Sequence, residues 1–193
     1  MLEKIKQAFQ HFTFLSPVDL IKIASITKIV KINKGVHFIK DGEISYQTAL
    51  VLKGLLRHYI INKDGTEKTL LFIPEKKSTG SPDTIFSNKP SSENIIALED
   101  SIILKIDSRD FERIAKNNIR LLTLQNKSLK EVILSDVEQI KSLTIFSPEE
   151  RYNYFCKTYP HLEQRIKQKY LASYLGITPT SLSRLRARII PST

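Results

Sequence analysis

Short runs of β-branched and aromatic residues alternate with turn residues from about residue 27 to residue 106. The turns contain Asn, Asp, Lys and Gly, which supply the backbone conformations of tight hairpins. This regular spacing predicts a small antiparallel β-barrel or sandwich. The predicted strands cover residues 28–32, 36–39, 48–52, 55–61, 68–73 and 102–106, and the turns cover residues 33–35, 41–42, 53–54 and 62–65.

The apolar spacing changes to a helical period on both sides of this region. Residues 16–19, Ser-Pro-Val-Asp, form a capping box with proline at the first helical position and predict a short helix. A second helix is predicted to start near residues 107–110, and a long one covers about residues 118–143, which contain no Gly or Pro. Residues 147–150, Ser-Pro-Glu-Glu, repeat the capping box and mark the start of a C-terminal unit. The stretch 76–92 is rich in Ser, Pro, Lys and Asn and is predicted to be an irregular loop.

Residues 168–188 have the spacing of two helices that cross at a tight turn. Gly176 permits the left-handed conformation that ends the first helix, while Thr178 and Pro179 supply the N-cap and the first position of the second. Ala172 is small where the two backbones approach each other. The apolar positions that face inward between the helices are Leu171, Leu175, Ile177, Leu182 and Leu185. This pattern predicts a helix-turn-helix, which places a helix in the DNA major groove.

Polar and cationic side chains project from the second helix on the side away from its apolar positions. A guanidinium bonds guanine O6 and N7 together, so Arg184 is the strongest candidate for a base contact. The candidates for base edges are Thr178, Thr180, Ser181, Ser183 and Arg184, and the candidates for phosphate contacts are Lys167, Lys169, Arg186 and Arg188. A simpler alternative is an amphipathic hairpin whose basic face is only solvated. We favour DNA binding because residues 165–188 contain six basic residues and no acidic one.

The long predicted helix carries one apolar stripe with spacings of three, four and seven residues. At 1.5 Å per residue the helix spans roughly 35 to 40 Å, which is longer than one small domain needs. The stripe could pack on the barrel or pair with its copy across a two-fold axis. We favour a homodimer, because a bacterial-type helix-turn-helix normally binds a two-fold site as a dimer. The predicted dimer residues are Leu122, Leu129, Ile133, Val137 and Ile140.

Charge and cysteine content narrow the function further. The net charge of the 193-residue chain is +10, which favours a polyanionic partner, and residues 150–193 hold eight Lys or Arg against two Glu. The single cysteine, Cys156, excludes an internal disulfide and any multi-cysteine metal site, and its aromatic neighbours indicate a buried structural thiol. No apolar run approaches the length of a membrane span, and the N-terminus lacks the apolar core of a signal peptide. We therefore expect a cytoplasmic protein with no membrane partner.

The order of a glycine-punctuated barrel, a long helix and a C-terminal helix-turn-helix resembles the Crp/Fnr family of bacterial transcription regulators. Residues 169–186 are similar to members with a Leu-Gly-Ile-Thr turn. The glycines that correspond to turn glycines of that family's barrel are Gly35, Gly42, Gly54 and Gly65. The resemblance implies an α+β protein with a cyclic-nucleotide-binding-like jelly-roll barrel at residues 1–117, a dimerisation helix at 118–145 and a DNA-binding domain at 146–193.

The same resemblance implies a sequence-specific regulator that binds double-stranded DNA as a homodimer, with Arg184 at the bases and RNA polymerase as a further partner. Members of the family usually continue with a β-hairpin wing after the recognition helix. Because this chain ends at Thr193, we expect the wing to be absent or truncated. The alternative is a ligand-binding or protein-interaction barrel with a basic helical tail.

The effector site departs from the family pattern. Members that bind cyclic nucleotides carry a Gly-Glu pair that holds the ribose and, further along, an Arg-Ser or Arg-Thr pair that holds the cyclic phosphate. Here Gly80-Ser81 and Ser91-Ser92 occupy these places, so the ribose acid and the phosphate cation are both missing. Neutral donors compensate the burial of a phosphate charge poorly. We therefore expect cyclic AMP and cyclic GMP not to bind. The barrel either serves only as a scaffold or senses a neutral effector, for which these four residues could line a pocket.

No cofactor and no enzymatic activity are predicted. Oxygen-sensing members of the family need several cysteines, and haem-sensing members need an axial ligand, for which His37 and His58 are available but are expected to be structural. Together with His11 and His161 they are scattered along the chain, with no pair at metal-ligand spacing. The sequence therefore favours a regulator over a metal-dependent enzyme.

Overall fold

The computed structural model describes residues 2–10 and 12–189. Within this part of the chain the helices are α1 (Leu2–Phe9), α2 (Pro17–Ile26), α3 (Pro82–Ser87), α4 (Ser108–Ala115), α5 (Ile119–Ile145), α6 (Pro148–Thr158), α7 (Leu162–Arg165), α8 (Gln168–Tyr174) and α9 (Pro179–Ile189). The strands are β1 (Thr27–Ile32), β2 (His37–Ile39), β3 (Gln47–Lys53), β4 (Leu56–Ile61), β5 (Glu67–Ile73), β6 (Ser78–Thr79), β7 (Asn94–Ala97) and β8 (Ser101–Asp107). Among the described residues, no helix combines the length and the apolar character needed to cross a bilayer.

The strands lie in two four-stranded sheets, with the orders β1-β8-β3-β6 and β2-β7-β4-β5. Strand β8 pairs antiparallel with both β1 and β3, so that Ile106 stands opposite Thr27 on one side and Thr48 on the other. The antiparallel strands predicted from the alternating pattern are confirmed. A closed barrel is not observed among residues 2–10 and 12–189, because no ladder of hydrogen bonds joins the two sheets there.

The chain divides into two compact units. The first consists of residues 1–58 and 72–132, and the second consists of residues 59–71 and 133–193. The tip of the β4–β5 hairpin therefore belongs to the same unit as the C-terminal helices. The sequence predicted three consecutive domains, at residues 1–117, 118–145 and 146–193, and these boundaries stay a prediction.

The core of the first unit lies where its helices meet β8. Ile5, Ile23, Leu104 and Leu121 are fully buried there. Leu122 packs against the same cluster. Leu122 is half-buried there, and its predicted place in a dimer stripe stays a prediction.

Both predicted capping boxes are confirmed. The side chains of Ser16 and Ser147 accept hydrogen bonds from the backbone N–H groups of Asp19 and Glu150, at 3.2 and 3.3 Å. In return, the two carboxylates accept hydrogen bonds from the backbone N–H groups of the serines, each at 2.8 Å. Each box satisfies backbone donors that a helix start leaves without an intrahelical partner.

Asp19 also joins the start of α2 to the start of α5. It is completely buried, and its carboxylate accepts hydrogen bonds from Arg120 Nε at 2.5 Å and from Asn118 Nδ2 and Ser16 Oγ at 2.6 Å each. Burial raises the pKa of Asp19, but hydrogen bonds from these three residues outweigh burial and hold the pKa well below its usual range. Asp19 is therefore a buried, ionised carboxylate with several partners.

The stretch 76–92 is more regular than the predicted loop, since it contains β6 and α3. Ser81 caps α3 and Pro82 is its first residue, while Asn88 ends it in the left-handed conformation at φ 54°. The Ser-Pro-Asp start is the same signal that marks α2, but the high polar content of the segment obscured it. Helices α1 and α7 and strand β7 were not predicted from the sequence either.

Candidate nucleic-acid interface

Helices α8 and α9 share an apolar seam within the second unit. Four of the five positions predicted to face inward are buried, and Ile177 is half-buried. Ala172 is fully buried between them. The buried leucines of the seam are Leu171, Leu175, Leu182 and Leu185. The two helices are thus held together by close apolar packing, as the spacing predicted.

The turn between α8 and α9 is fixed by backbone hydrogen bonds. Gly176 adopts φ 68°, and its N–H donates to the carbonyl of Ser173 at 3.2 Å. The N–H of Ile177 donates to the carbonyl of Ala172 at 3.0 Å. This pair of bonds is the Schellman pattern, which satisfies the last carbonyls of a helix and favours glycine at its left-handed position.

The start of α9 is fixed by Thr178. Its Oγ1 atom accepts a hydrogen bond from the N–H of Ser181 at 3.1 Å and lies 2.9 Å from Ser181 Oγ. The side chain of Gln168, at the start of α8, donates to the carbonyl of Pro179 at 2.7 Å. Thr178 therefore has the N-cap position that the sequence predicted, and the first turns of both helices are tied together.

The exposed face of α9 carries the residues predicted to contact DNA. Thr180, Arg184 and Arg188 recur at four-residue spacing and lie on one face of the helix, opposite the buried leucines. Ser181 and Ser183 are exposed beside them. At the start of α8, Lys167 and Lys169 are also exposed. Lys169 Nζ lies 4.9 Å from the centroid of the ring of Tyr170, the next residue.

Arg186 is placed differently from the other predicted DNA-contacting residues. It is half-buried at the edge of the apolar seam, where Nη2 donates to Glu163 Oε2 at 3.5 Å. Its guanidinium carbon lies 5.6 Å from the centroid of the Tyr152 ring. Arg186 is therefore engaged with its own unit.

Glu163 is also contacted by two residues of α6. Tyr152 Oη donates to Glu163 Oε2 at 2.5 Å, and Cys156 Sγ lies 3.5 Å from the same oxygen. We call Tyr152, Cys156, Glu163 and Arg186 the Glu163 cluster. Burial, together with the nearby carboxylate, raises the pKa of both the Tyr152 hydroxyl and the Cys156 thiol. The thiol is thus held in its neutral form, and Cys156 is half-buried, less than the buried thiol that the sequence predicted.

No role was predicted for Glu163 from the sequence. The signal was present, because Glu163 is the only acidic residue after Glu150. An isolated acid within a basic segment is a candidate partner for one of its cations, and the contact with Arg186 joins residues 23 positions apart.

One contact in the second unit links α8 to β5. The N–H of Thr69 donates to Ser173 Oγ at 2.9 Å, and Ser173 Oγ donates to the carbonyl of Glu67 at 3.3 Å. Strand β5 is at the edge of its sheet, so these backbone groups face away from the neighbouring strand. Ser173 thus covers part of a sheet edge with a helix.

The predicted effector pocket lies in the first unit, and its residues hold the local backbone. Ser81 is fully buried as the N-cap of α3, and a Cβ added at Gly80 would come within 2.8 Å of Ile85 Cδ1. Ser91 is buried, and its N–H donates to the carbonyl of Glu43 at 2.8 Å. The ligand-binding role of these positions stays a prediction.

Two acidic side chains lie close to the predicted pocket serines along the chain. The N–H and Oγ of Ser92 donate to Asp83 Oδ2 at 2.9 and 2.6 Å, and these bonds hold the pKa of Asp83 below its usual value. Glu93 Oε2 lies 2.6 Å from the Nε2 atom of buried His58. His58 is thus already engaged by a carboxylate, as expected for a structural histidine. Among the described residues, no three His, Cys, Asp or Glu side chains are grouped to hold a metal ion, and His11 lies outside them.

Strands β1 to β8, together with α3 and α4, lie within or overlap the segment that matches a known family. Residues 29–118 match the family model of the cyclic nucleotide-binding domain. The matched segment contains all four residues of the predicted effector pocket. No curated protein matches the sequence of the chain.

Solved structures show the same fold over most of the chain. FixK2 from Bradyrhizobium japonicum is 14% identical with a TM-score of 0.75, and the match covers 85% of this chain and 84% of FixK2. A protein from Eubacterium rectale described as a transcriptional regulator of the Crp/Fnr family is 18% identical with a TM-score of 0.72, covering 95% of this chain and 88% of that protein. The c-di-GMP-responsive global regulator CLP from Xanthomonas campestris is 11% identical with a TM-score of 0.69, covering 88% and 89%. The segment that matches the cyclic nucleotide-binding domain model thus lies in a chain whose fold is similar to that of these three proteins.

Proposed function

We propose that this protein is a transcription regulator that binds double-stranded DNA sequence-specifically as a homodimer. The observation that carries the proposal is the pair α8 and α9, whose buried leucine seam supports an exposed basic face. A helix supported in this way fits the major groove and presents side chains to base edges. The fold shared with regulators supports the same conclusion. We further propose a cytoplasmic location, RNA polymerase as a partner, and no enzymatic activity.

The exposed side chains divide into two proposed groups. Thr180, Ser181, Ser183 and Arg184 lie near the start of α9 and would contact base edges, while Thr178 fixes that start as its cap. Lys167, Lys169 and Arg188 would contact phosphates, which increases affinity without selecting a base sequence. Arg186 is excluded from the second group because Glu163 engages it.

Helix α5 is the proposed dimer element. Its stripe residues Leu129, Ile133, Val137 and Ile140 are all exposed in the single chain. A row of exposed apolar side chains on a long helix is stabilised when a second copy buries it. A two-fold dimer would also place two recognition helices on two half-sites, as helix-turn-helix dimers do.

Replacing Arg184 by alanine is expected to weaken binding to the specific site by about 1–3 kcal/mol and to relax base preference at one position, because a bidentate base contact is lost. The matched change, Lys169→Ala, is expected to weaken binding to all sequences alike and to reduce the salt slope by about 1. The measurement is a gel-shift salt titration on a duplex selected by the wild-type protein from a random pool, compared with a random duplex.

The proposal fails if the wild-type protein binds no duplex at low salt, which would favour a protein-interaction domain with a basic tail. Equal losses on both duplexes for both variants would contradict the division between base and phosphate contacts.

Cyclic AMP is expected not to bind to the segment that matches the cyclic nucleotide-binding domain model. The negative phosphate would lie near Asp83, whose pKa is lowered and which is therefore ionised at neutral pH. Positions 91 and 92 are serines, so neither supplies an arginine to balance the phosphate charge. Isothermal titration calorimetry with millimolar cyclic AMP is expected to show no heat of binding. Thermal denaturation with the same ligand is expected to show no shift in the melting temperature. A saturable heat with one site per chain would show that other residues hold the phosphate.

A further inference from the structure

Arg186 is a cation of α9 that contacts a carboxylate of its own unit, Glu163. Its side chain is 30% exposed and that of Glu163 is 28% exposed, so both charged groups are only partly accessible to water. To reach a DNA phosphate, Arg186 would have to give up the bond to Glu163 and the contact with the Tyr152 ring. Arg184 and Arg188, by contrast, are exposed on the face opposite the seam.

The apolar seam and the capped first turn hold the start of α9, while Arg186 supplies a polar contact further along the helix. Leu182 and Leu185 hold the helix by hydrophobic contact, which has no preferred direction. Arg186 Nη2 lies 3.5 Å from Glu163 Oε2, a long contact between opposite charges, and Glu163 is itself oriented by the hydroxyl of Tyr152. Side chains that contact a ligand need such supporting bonds to stay in place within a fraction of an ångström.

We propose that the Glu163 cluster positions α9, the recognition helix. In this proposal Arg186 contributes by its contact with Glu163 and makes no contact with DNA. The cluster connects α6, α7 and α9, so it sets the angle at which Thr180, Ser183 and Arg184 meet the base edges. Arg186, Glu163 and Tyr152 are therefore positioning residues for sequence selection. This inference rests on the proposed DNA-binding function.

Glu163→Gln tests the inference through the sign of its effect. If Glu163 acts only as a negative charge in a basic segment, its removal strengthens binding to every duplex. If Glu163 positions α9, Glu163→Gln weakens binding to the selected duplex by about tenfold, because the contact between opposite charges is lost. Binding to a random duplex would not fall, and the salt slope would stay unchanged, because no phosphate contact is removed.

The control is Glu149→Gln, which removes an exposed carboxylate from the first turn of α6 in the same unit. It is expected to strengthen binding to both duplexes slightly and equally. Tyr152→Phe keeps the ring and the net charge but removes the hydroxyl that orients Glu163, and it is expected to reduce the preference for the selected duplex as well. Circular dichroism melting of each variant shows whether α6 to α9 stay folded.

The outcomes separate the two proposals. If Glu163→Gln behaves like Glu149→Gln, or if Tyr152→Phe keeps full preference while folded, the positioning role is wrong although DNA binding stands. If Glu163→Gln is unfolded, the test is whether folded Tyr152→Phe has lost preference for the selected duplex. If the wild-type protein selects no duplex from the pool, the DNA-binding proposal fails and this inference fails with it.

Discussion

Ile133→Glu is expected to make the protein monomeric at concentrations where the wild-type protein is a dimer. Ile133 is 52% exposed in the single chain and lies in the middle of the proposed dimer stripe of α5. In a two-fold dimer the two carboxylates would be buried close to each other, and burial of unpaired charge costs several kcal/mol. Self-association should therefore weaken by at least about a hundredfold. Sedimentation equilibrium at matched concentrations measures this change.

Leu134→Glu is the matched control for this experiment. Leu134 is also 52% exposed and is the next residue, but it projects about 100° further around the helix. We expect Leu134→Glu to leave the dimer intact. Neither change is expected to unfold the chain, since both side chains are already exposed to solvent. A dimer that survives Ile133→Glu but dissociates with Leu134→Glu would move the interface to another face of α5.

Asp19→Ala is expected to lower the free energy of unfolding by about 2–4 kcal/mol, because several bonds to one buried carboxylate are lost together. The change removes hydrogen bonds from Arg120, Asn118 and Ser16, and with them the capping box of α2. Urea denaturation followed by circular dichroism measures the difference. Asp110→Ala, which breaks the exposed ion pair with Arg113, is the control and is expected to cost less than about 1 kcal/mol.

The stabilisation by Asp19 is also expected to depend on pH. Because the pKa of Asp19 is lower in the folded than in the unfolded chain, its contribution is fully present above the usual carboxyl pKa of about 4 and is lost as the pH falls below that value. Asp19→Asn should therefore reduce the loss of stability between neutral and strongly acidic pH. An unchanged acid profile in this variant would show that the carboxylate is not held in its ionised form.

The elements that the sequence predicted are those whose signals are local. The capping boxes at Ser16 and Ser147 involve residues three positions apart, and the left-handed turn at Gly176 follows from the glycine itself. The seam residues of α8 and α9 follow from helical spacing. For the same reason the exposed face with Arg184 could be located from the sequence, although its contact with DNA stays a proposal.

The features that the sequence did not predict depend on distant residues. Arg186 looked equivalent to Arg188 because both are cations on one helix, and only the position of Glu163 separates them. Leu122 continues the apolar spacing of α5, and only the tertiary structure shows that it also contacts the core of the first unit.

The sequence by itself determined the position of most helices and strands, the apolar side of the helices predicted at residues 118–143 and 168–188, and where positive charge is concentrated. These properties depend on backbone conformation and side-chain spacing over a few residues. Only the tertiary structure decided that the strands form two separate sheets, that residues 59–71 belong with the C-terminal helices, and that Asp19 and Glu163 are shared partners. These features depend on which distant surfaces bury each other, and local spacing carries no information about that choice.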